Sequence, residues 1–308
     1  MKSEAMSRKL NFVILFTVCV TCFAEPIRVL TIGNSFSVPM TYWLPLVAKS
    51  AGVEIEVEDI TIGGCTMERH WSNITKEANE PGYQFFKDFT YLQKITSKPW
   101  DFVTIQQASH ESWRIESYRP YAQQLRDYIR ANAPTARVLI QMTWAWRQDD
   151  PRYQTLPKKW YDDPLYELNK QDPQGYMHFR ILQSYHQIAQ ELGLRIIPTG
   201  IAVQAARNTQ SPKYIPFNPK DYKYPDLPDV SRALCGDIKW NNSHTALTGD
   251  TAHLNQRGLF LQACVWFGII TGHPVSEITY QPQGMTPEDI AFLKEVAQAT
   301  LNIYPKGK

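Results

Sequence analysis

Two short motifs 215 residues apart hold the side chains that acyl-transfer chemistry requires. Gly33-Asn34-Ser35-Phe36-Ser37 offers a hydroxyl, and Asp250-Thr251-Ala252-His253 offers a carboxylate three residues before an imidazole. A serine hydroxyl becomes a useful nucleophile beside a base, and the base works when a third group orients it. The Asp-x-x-His spacing lets one tight turn hold carboxylate and imidazole side by side. Alone, the Asn-Ser pair also reads as a cap for a following helix. Its pairing with the distant Asp-x-x-His is what points to chemistry.

Other histidines compete for the role of base. His70, His110 and His244 all lie near motif segments, but only His253 has a carboxylate at that spacing. Beyond residue 24 no His-x-x-x-His or Cys-x-x-Cys pair is present, so the sequence implies neither a metal site nor any cofactor.

The elements that must position these groups alternate along the chain. Apolar segments at 27–32, 53–58, 101–105, 137–142 and 195–198 read as five strands, the second alternating apolar and acidic residues as an edge strand does. Helices are expected at 40–50, interrupted near Pro45, and at 118–133, 176–192, 201–207, 254–271 and 287–301. Such alternation predicts a parallel sheet with helices on both faces. The first strand then lifts Ser35 to the sheet's carboxyl edge, where open α/β sheets place their sites. Segments 148–174 and 210–244 lack periodicity and read as long loops near that same edge.

With the blocks in this order, the mature chain resembles the SGNH (GDSL-like) hydrolases along nearly its whole length. The resemblance implies a three-layer α/β/α, flavodoxin-like fold with a five-stranded parallel sheet, and a serine esterase activity without cofactors. Carried over by motif, Ser35 is the nucleophile, His253 the base and Asp250 its orienter. Asn34 stands where the family has an aspartate, a position that supports the turn. The oxyanion donors implied are the N–H of Ser35, the N–H of Gly64 in Gly63-Gly64, and a side chain in the third block. There the family's Gly-x-Asn-Asp is replaced by Gln106-Gln107-Ala108-Ser109-His110-Glu111. Gln107 is the expected amide donor, as in carbohydrate acetylesterase branches of the superfamily, with His110 the alternative.

The ends and the composition bound the biology. Residues 1–24 carry Lys2, Arg8 and Lys9 before an apolar stretch and end Cys22-Phe23-Ala24, the pattern of a secretory signal peptide. Lipoprotein processing at Cys19 or Cys22 is a minor alternative. The expectation is a secreted or periplasmic protein, with residues 25–308 as one domain and no membrane span after cleavage. Cleavage removes three of 32 Lys+Arg and one of 30 Asp+Glu, leaving 29 of each. That neutral balance argues against nucleic acid as a partner. Cys65, Cys235 and Cys264 remain; export permits a Cys65–Cys235 bridge, while Cys264 lies on an apolar helical stretch.

Trp71, Trp113, Trp144, Trp146 and Trp240 fall beside the motif segments, with Arg69, Arg114 and Arg147 next to three of them. Core packing explains most tryptophans, but those at a cleft stack on sugar rings, and the arginines could grip an acidic sugar. The substrate site expected here comprises His110, Trp71, Trp113, Trp146 and Arg69. The reading is therefore an exported esterase removing O-acyl groups, acetyl foremost, from a carbohydrate. A lipid or thioester hydrolase and a non-catalytic glycan-binding protein on the same fold stay open beside it.

Overall fold

The computed structural model describes residues 25–155 and 171–304. The expected signal peptide and most of the 148–174 loop fall outside them. Five parallel strands form the sheet: β1 (Ile27–Gly33), β2 (Ile55–Thr61), β3 (Phe102–Ile105), β4 (Arg137–Gln141) and β5 (Arg195–Ile197). Their order, β2-β1-β3-β4-β5, is the flavodoxin-like winding. β2 lies at the sheet edge, as its alternation predicts, but starts two residues later than expected. β1 is buried throughout its second half because β2 and β3 flank it and helices cover both faces.

One face is covered by α1 (Met40–Ser50), α6 (Thr199–Thr209), α7 (Gln256–Thr271) and α8 (Pro287–Ile303). The other carries α2 (Met67–Asn79), α3 (Tyr91–Thr96), α4 (Tyr121–Asn132) and α5 (Pro173–Leu192). α7 is buried from Phe260 to Ile270 because α1, α6 and α8 all pack on it. α1 runs through Pro45 without a break. Proline there removes one N–H, and the buried Leu44, Val47 and Ala48 on either side hold the turn against that loss.

The sequence reading passes over α2, α3 and a short strand pair. α2 buries Met67, His70, Asn73 and Ile74 at helical spacing, but two of the four are polar, so apolar periodicity does not reveal it. Within the 210–244 loop and just beyond it, β6 (Lys239–Trp240) pairs antiparallel with β7 (Leu247–Thr248), a hairpin leading directly into Asp250. Cys65, Cys235 and Cys264 are all free and buried; no Cys65–Cys235 bridge forms, and the Cys235 thiol instead accepts from Arg207 Nη2 at 2.9 Å.

Candidate active site

β1 and β3 are the neighbours at which the winding of the sheet reverses, and the residues after both strands meet there. Past Gly33 the chain turns sharply, with the Ser37 N–H donating to the Asn34 carbonyl at 2.9 Å. The turn is tied to the core by buried side chains. Asn34 Oδ1 accepts from the Phe36 N–H (3.1 Å) and from Gln106 Nε2 (2.7 Å), while Asn34 Nδ2 donates to the Cys65 carbonyl at 3.1 Å. The Ser37 hydroxyl sits within reach of Gln106 Oε1 and Gln141 Oε1, and Gln262 Nε2 of α7 donates to the Phe36 carbonyl. A Cβ on Gly33 would stand 2.9 Å from Ser37 Oγ and 3.1 Å from Gln106 Oε1, so any larger residue would displace these two side chains.

With its neighbours fixed in this way, Ser35 is left partly exposed. Its Oγ lies 2.7 Å from Nε2 of His253, and Nδ1 of the same ring hydrogen-bonds Oδ2 of Asp250. Asp250 Oδ1 accepts from the N–H of Ala252 (2.6 Å) and of His253 (2.9 Å), closing the Asp-x-x-His turn on itself. Burial works to raise the Asp250 pKa, but the His253 ring and those two N–H groups outweigh it and hold the carboxyl well below the carboxylate range. The imidazole is also packed: the Phe36 ring meets it edge-on at 5.1 Å, and Trp144 stacks flat on Phe36 at 4.2 Å. Trp144 Nε1 donates to the Ala252 carbonyl at 2.7 Å. Serine, imidazole and carboxylate in this chain can abstract a hydroxyl proton and stabilise the resulting imidazolium.

The segments that carry two of the expected oxyanion donors are joined by one hydrogen bond. Asn34 Nδ2, bonded to the Cys65 carbonyl, draws the Gly63-Gly64 turn to the serine turn. Neither the Ser35 N–H nor the Gly64 N–H has a partner among the described residues. Gln107 does not join them. Its Nε2 donates to the Ser117 carbonyl (2.8 Å) and hydroxyl (3.1 Å), and its Oε1 accepts from the N–H groups of Met67 and Ala108. Buried and with both amide hydrogens engaged, it braces the loop after β3. Gln106, the residue passed over in the sequence, is the one that reaches the serine turn, bonding Asn34 and Ser37 rather than Ser35. His110 is exposed.

The expected substrate residues scatter. Trp113 and Trp146 are 7% and 5% exposed, Trp144 less, so none offers a free ring face. Trp71 packs edge-on against Tyr128 of α4, and the exposed Arg69 lies over Phe85. Arg147 is buried and paired with Asp149, and Arg114 is paired with Glu111. His70 is fully buried: its Nε2 donates to the Gly33 carbonyl at 2.8 Å, and its Nδ1 accepts from Tyr91 OH at 2.7 Å. His244 stacks on Tyr224 in the β6–β7 hairpin. Among the described residues no cluster of three metal-ligating side chains occurs, and no helix is long and apolar enough to cross a membrane.

The family described as a domain of unknown function (DUF4886) matches residues 28–227, a span that includes Ser35 and Gly64 and stops before Asp250. The structure of a DUF4886 family protein from Bacteroides uniformis is similar at 23% identity and a TM-score of 0.65, covering 92% of this chain and 98% of that one. A member of the lipolytic protein G-D-S-L family from Veillonella parvula is more distant, at 12% identity and a TM-score of 0.39, covering 79% and 98%. No curated protein matches the chain. The fold, with its β2-β1-β3-β4-β5 parallel sheet, is shared with that DUF4886 family structure.

Proposed function

This chain belongs to the DUF4886 family, and we propose that it is an exported serine esterase that removes O-acyl groups, acetyl foremost, from a carbohydrate. The observation that carries the reading is the 2.7 Å contact between Ser35 Oγ and His253 Nε2, with Asp250 on the other ring nitrogen. Ser35 attacks the ester carbonyl as His253 takes its proton. Asp250 stays ionised, fixes the Nδ1–H tautomer and stabilises the imidazolium. The N–H groups of Ser35 and Gly64 receive the oxyanion. His253 returns the proton to the departing sugar hydroxyl, and water, activated by the same base, releases the acyl group from Ser35.

Site shape favours a short acyl group on a bulky polar carrier. The His253 side chain is 47% exposed and that of Asp250 35%, so the reacting atoms face solvent rather than an apolar tunnel. Tyr42, on the first turn of the helix that follows the serine turn, is 63% exposed and is a ring on which a pyranose could stack. Hydrolysis of nitrophenyl esters of increasing chain length tests this: activity is expected to be highest on acetate and to extend to an acetylated polysaccharide. A preference for long acyl chains would assign the site to lipids instead.

A further inference from the structure

Resting on that reading of Ser35, Asp250 and His253, we propose that Asp150 is a positioning residue, a buried carboxylate that holds the Asp250–His253 turn in register through the hydroxyl of Thr251. The Asp150 side chain is fully buried although it stands in a loop beyond the carboxyl end of β4. A carboxylate is placed there at high desolvation cost unless its oxygens are satisfied. They are: Oδ1 accepts from the N–H and Nε of Arg152, and Oδ2 from Arg152 Nη2 and from the Thr251 hydroxyl. Burial alone would raise this carboxyl, but those bonds outweigh it and keep it ionised.

The contact with Thr251 does not stand alone. The loop after β4 grips each residue of the turn before its histidine. Arg147 Nη1 donates to the Asp250 carbonyl at 3.3 Å, the Arg147 N–H to the Thr251 carbonyl at 2.8 Å, and Trp144 Nε1 to the Ala252 carbonyl at 2.7 Å. These three lean on backbone carbonyls that any sequence would supply. The bonds at the Thr251 hydroxyl, to Asp150 and at 3.5 Å from Arg152 Nη2, are the ones that depend on the identity of a turn side chain. They act on the residue between Asp250 and the pair that closes onto Ser35, so losing them lets the turn rock while the sheet stays intact. A shift of about 1 Å in a reacting group can cost a hundredfold in turnover.

Thr251→Val removes the hydroxyl and keeps the shape at a partly exposed turn position. The expected result is a ten- to hundredfold fall in kcat with KM within twofold, unchanged thermal unfolding, and recovery in Thr251→Ser, which restores the hydroxyl. The downfield Nδ1–H resonance of His253 should broaden in Thr251→Val and return in Thr251→Ser. Asp150→Asn, which weakens the acceptor, should repeat the kcat effect if it folds. A folded Thr251→Val with wild-type kcat and an unchanged His253 resonance overturns the proposal and leaves the esterase reading standing. A wild-type protein without any Ser35-dependent hydrolysis overturns that reading, and with it any turn for Asp150 to position.

Discussion

At the scale of single residues, the site depends on amides that are committed before any substrate arrives. Asn34 shows why an amide suits the position at which the resemblance implies a carboxylate. Its Nδ2 must donate to the Cys65 carbonyl while its oxygen accepts two bonds, and an aspartate would set two acceptors against each other. Gln107 carries the opposite lesson. Its amide has the chemistry expected of an oxyanion donor, but its hydrogens are spent on Ser117. Gln107→Ala is therefore expected to cost roughly 2–4 kcal/mol of stability, from buried partners left unpaired, with turnover of the folded enzyme within a few fold of wild type. Denaturant melts together with kcat check this; a hundredfold loss of kcat at unchanged stability, the signature of a lost oxyanion donor, would reverse the assignment.

At the scale of elements, the site is made where strand ends and return turns meet, and close backbone approach sets the tolerances. Gly236 has φ +84, and a Cβ there would lie 2.0 Å from the Asp250 carbonyl. Its N–H also donates to the His253 carbonyl at 2.7 Å. Gly236→Ala should thus push the Asp250–His253 turn away from Ser35, reducing kcat at least tenfold while far-UV circular dichroism stays native. Wild-type kcat in that variant would mean the turn has slack the packing does not suggest. Four of the strands were legible as short apolar runs and β2 by its alternation, whereas the flavodoxin-like winding was implied only by the resemblance of the motifs. The pairing of Ser35 with Asp250 and His253 was suggested by spacing, since three residues span one turn. What escaped was set by tertiary contact. α2 hides behind the polar His70 and Asn73, whose partners come from other elements, and the two adjacent glutamines after β3 differ only in what each side chain meets. Asp150 had no local signal at all, because its partner Thr251 lies 101 residues away.

At the scale of the whole molecule, the burial that braces the site also makes the fold sensitive to acid. His70 sits under the end of β1, and burial lowers its pKa from the ordinary 6.5 to about 4. The unfolded chain therefore takes up this proton before the folded one. The stability His70 contributes as a neutral ring is complete above about pH 6.5 and is lost as pH falls towards 4, on the order of 3 kcal/mol across that window. Urea melts at pH 7 and pH 4.5 should show the loss, and His70→Gln should remove that part of the slope; an equal slope in the variant would place the titration elsewhere. The same folded frame presents one serine hydroxyl to one imidazole nitrogen at 2.7 Å, and everything proposed about function rests on that contact. The most direct measurement is reaction with a fluorophosphonate followed by mass spectrometry of the labelled peptide. The account predicts one adduct on Ser35, absent in Ser35→Ala and strongly slowed in His253→Ala, with turnover of Ser35→Ala lower by about a millionfold. A folded protein that takes no label, or takes it on another residue while Ser35→Ala still hydrolyses esters, would contradict it.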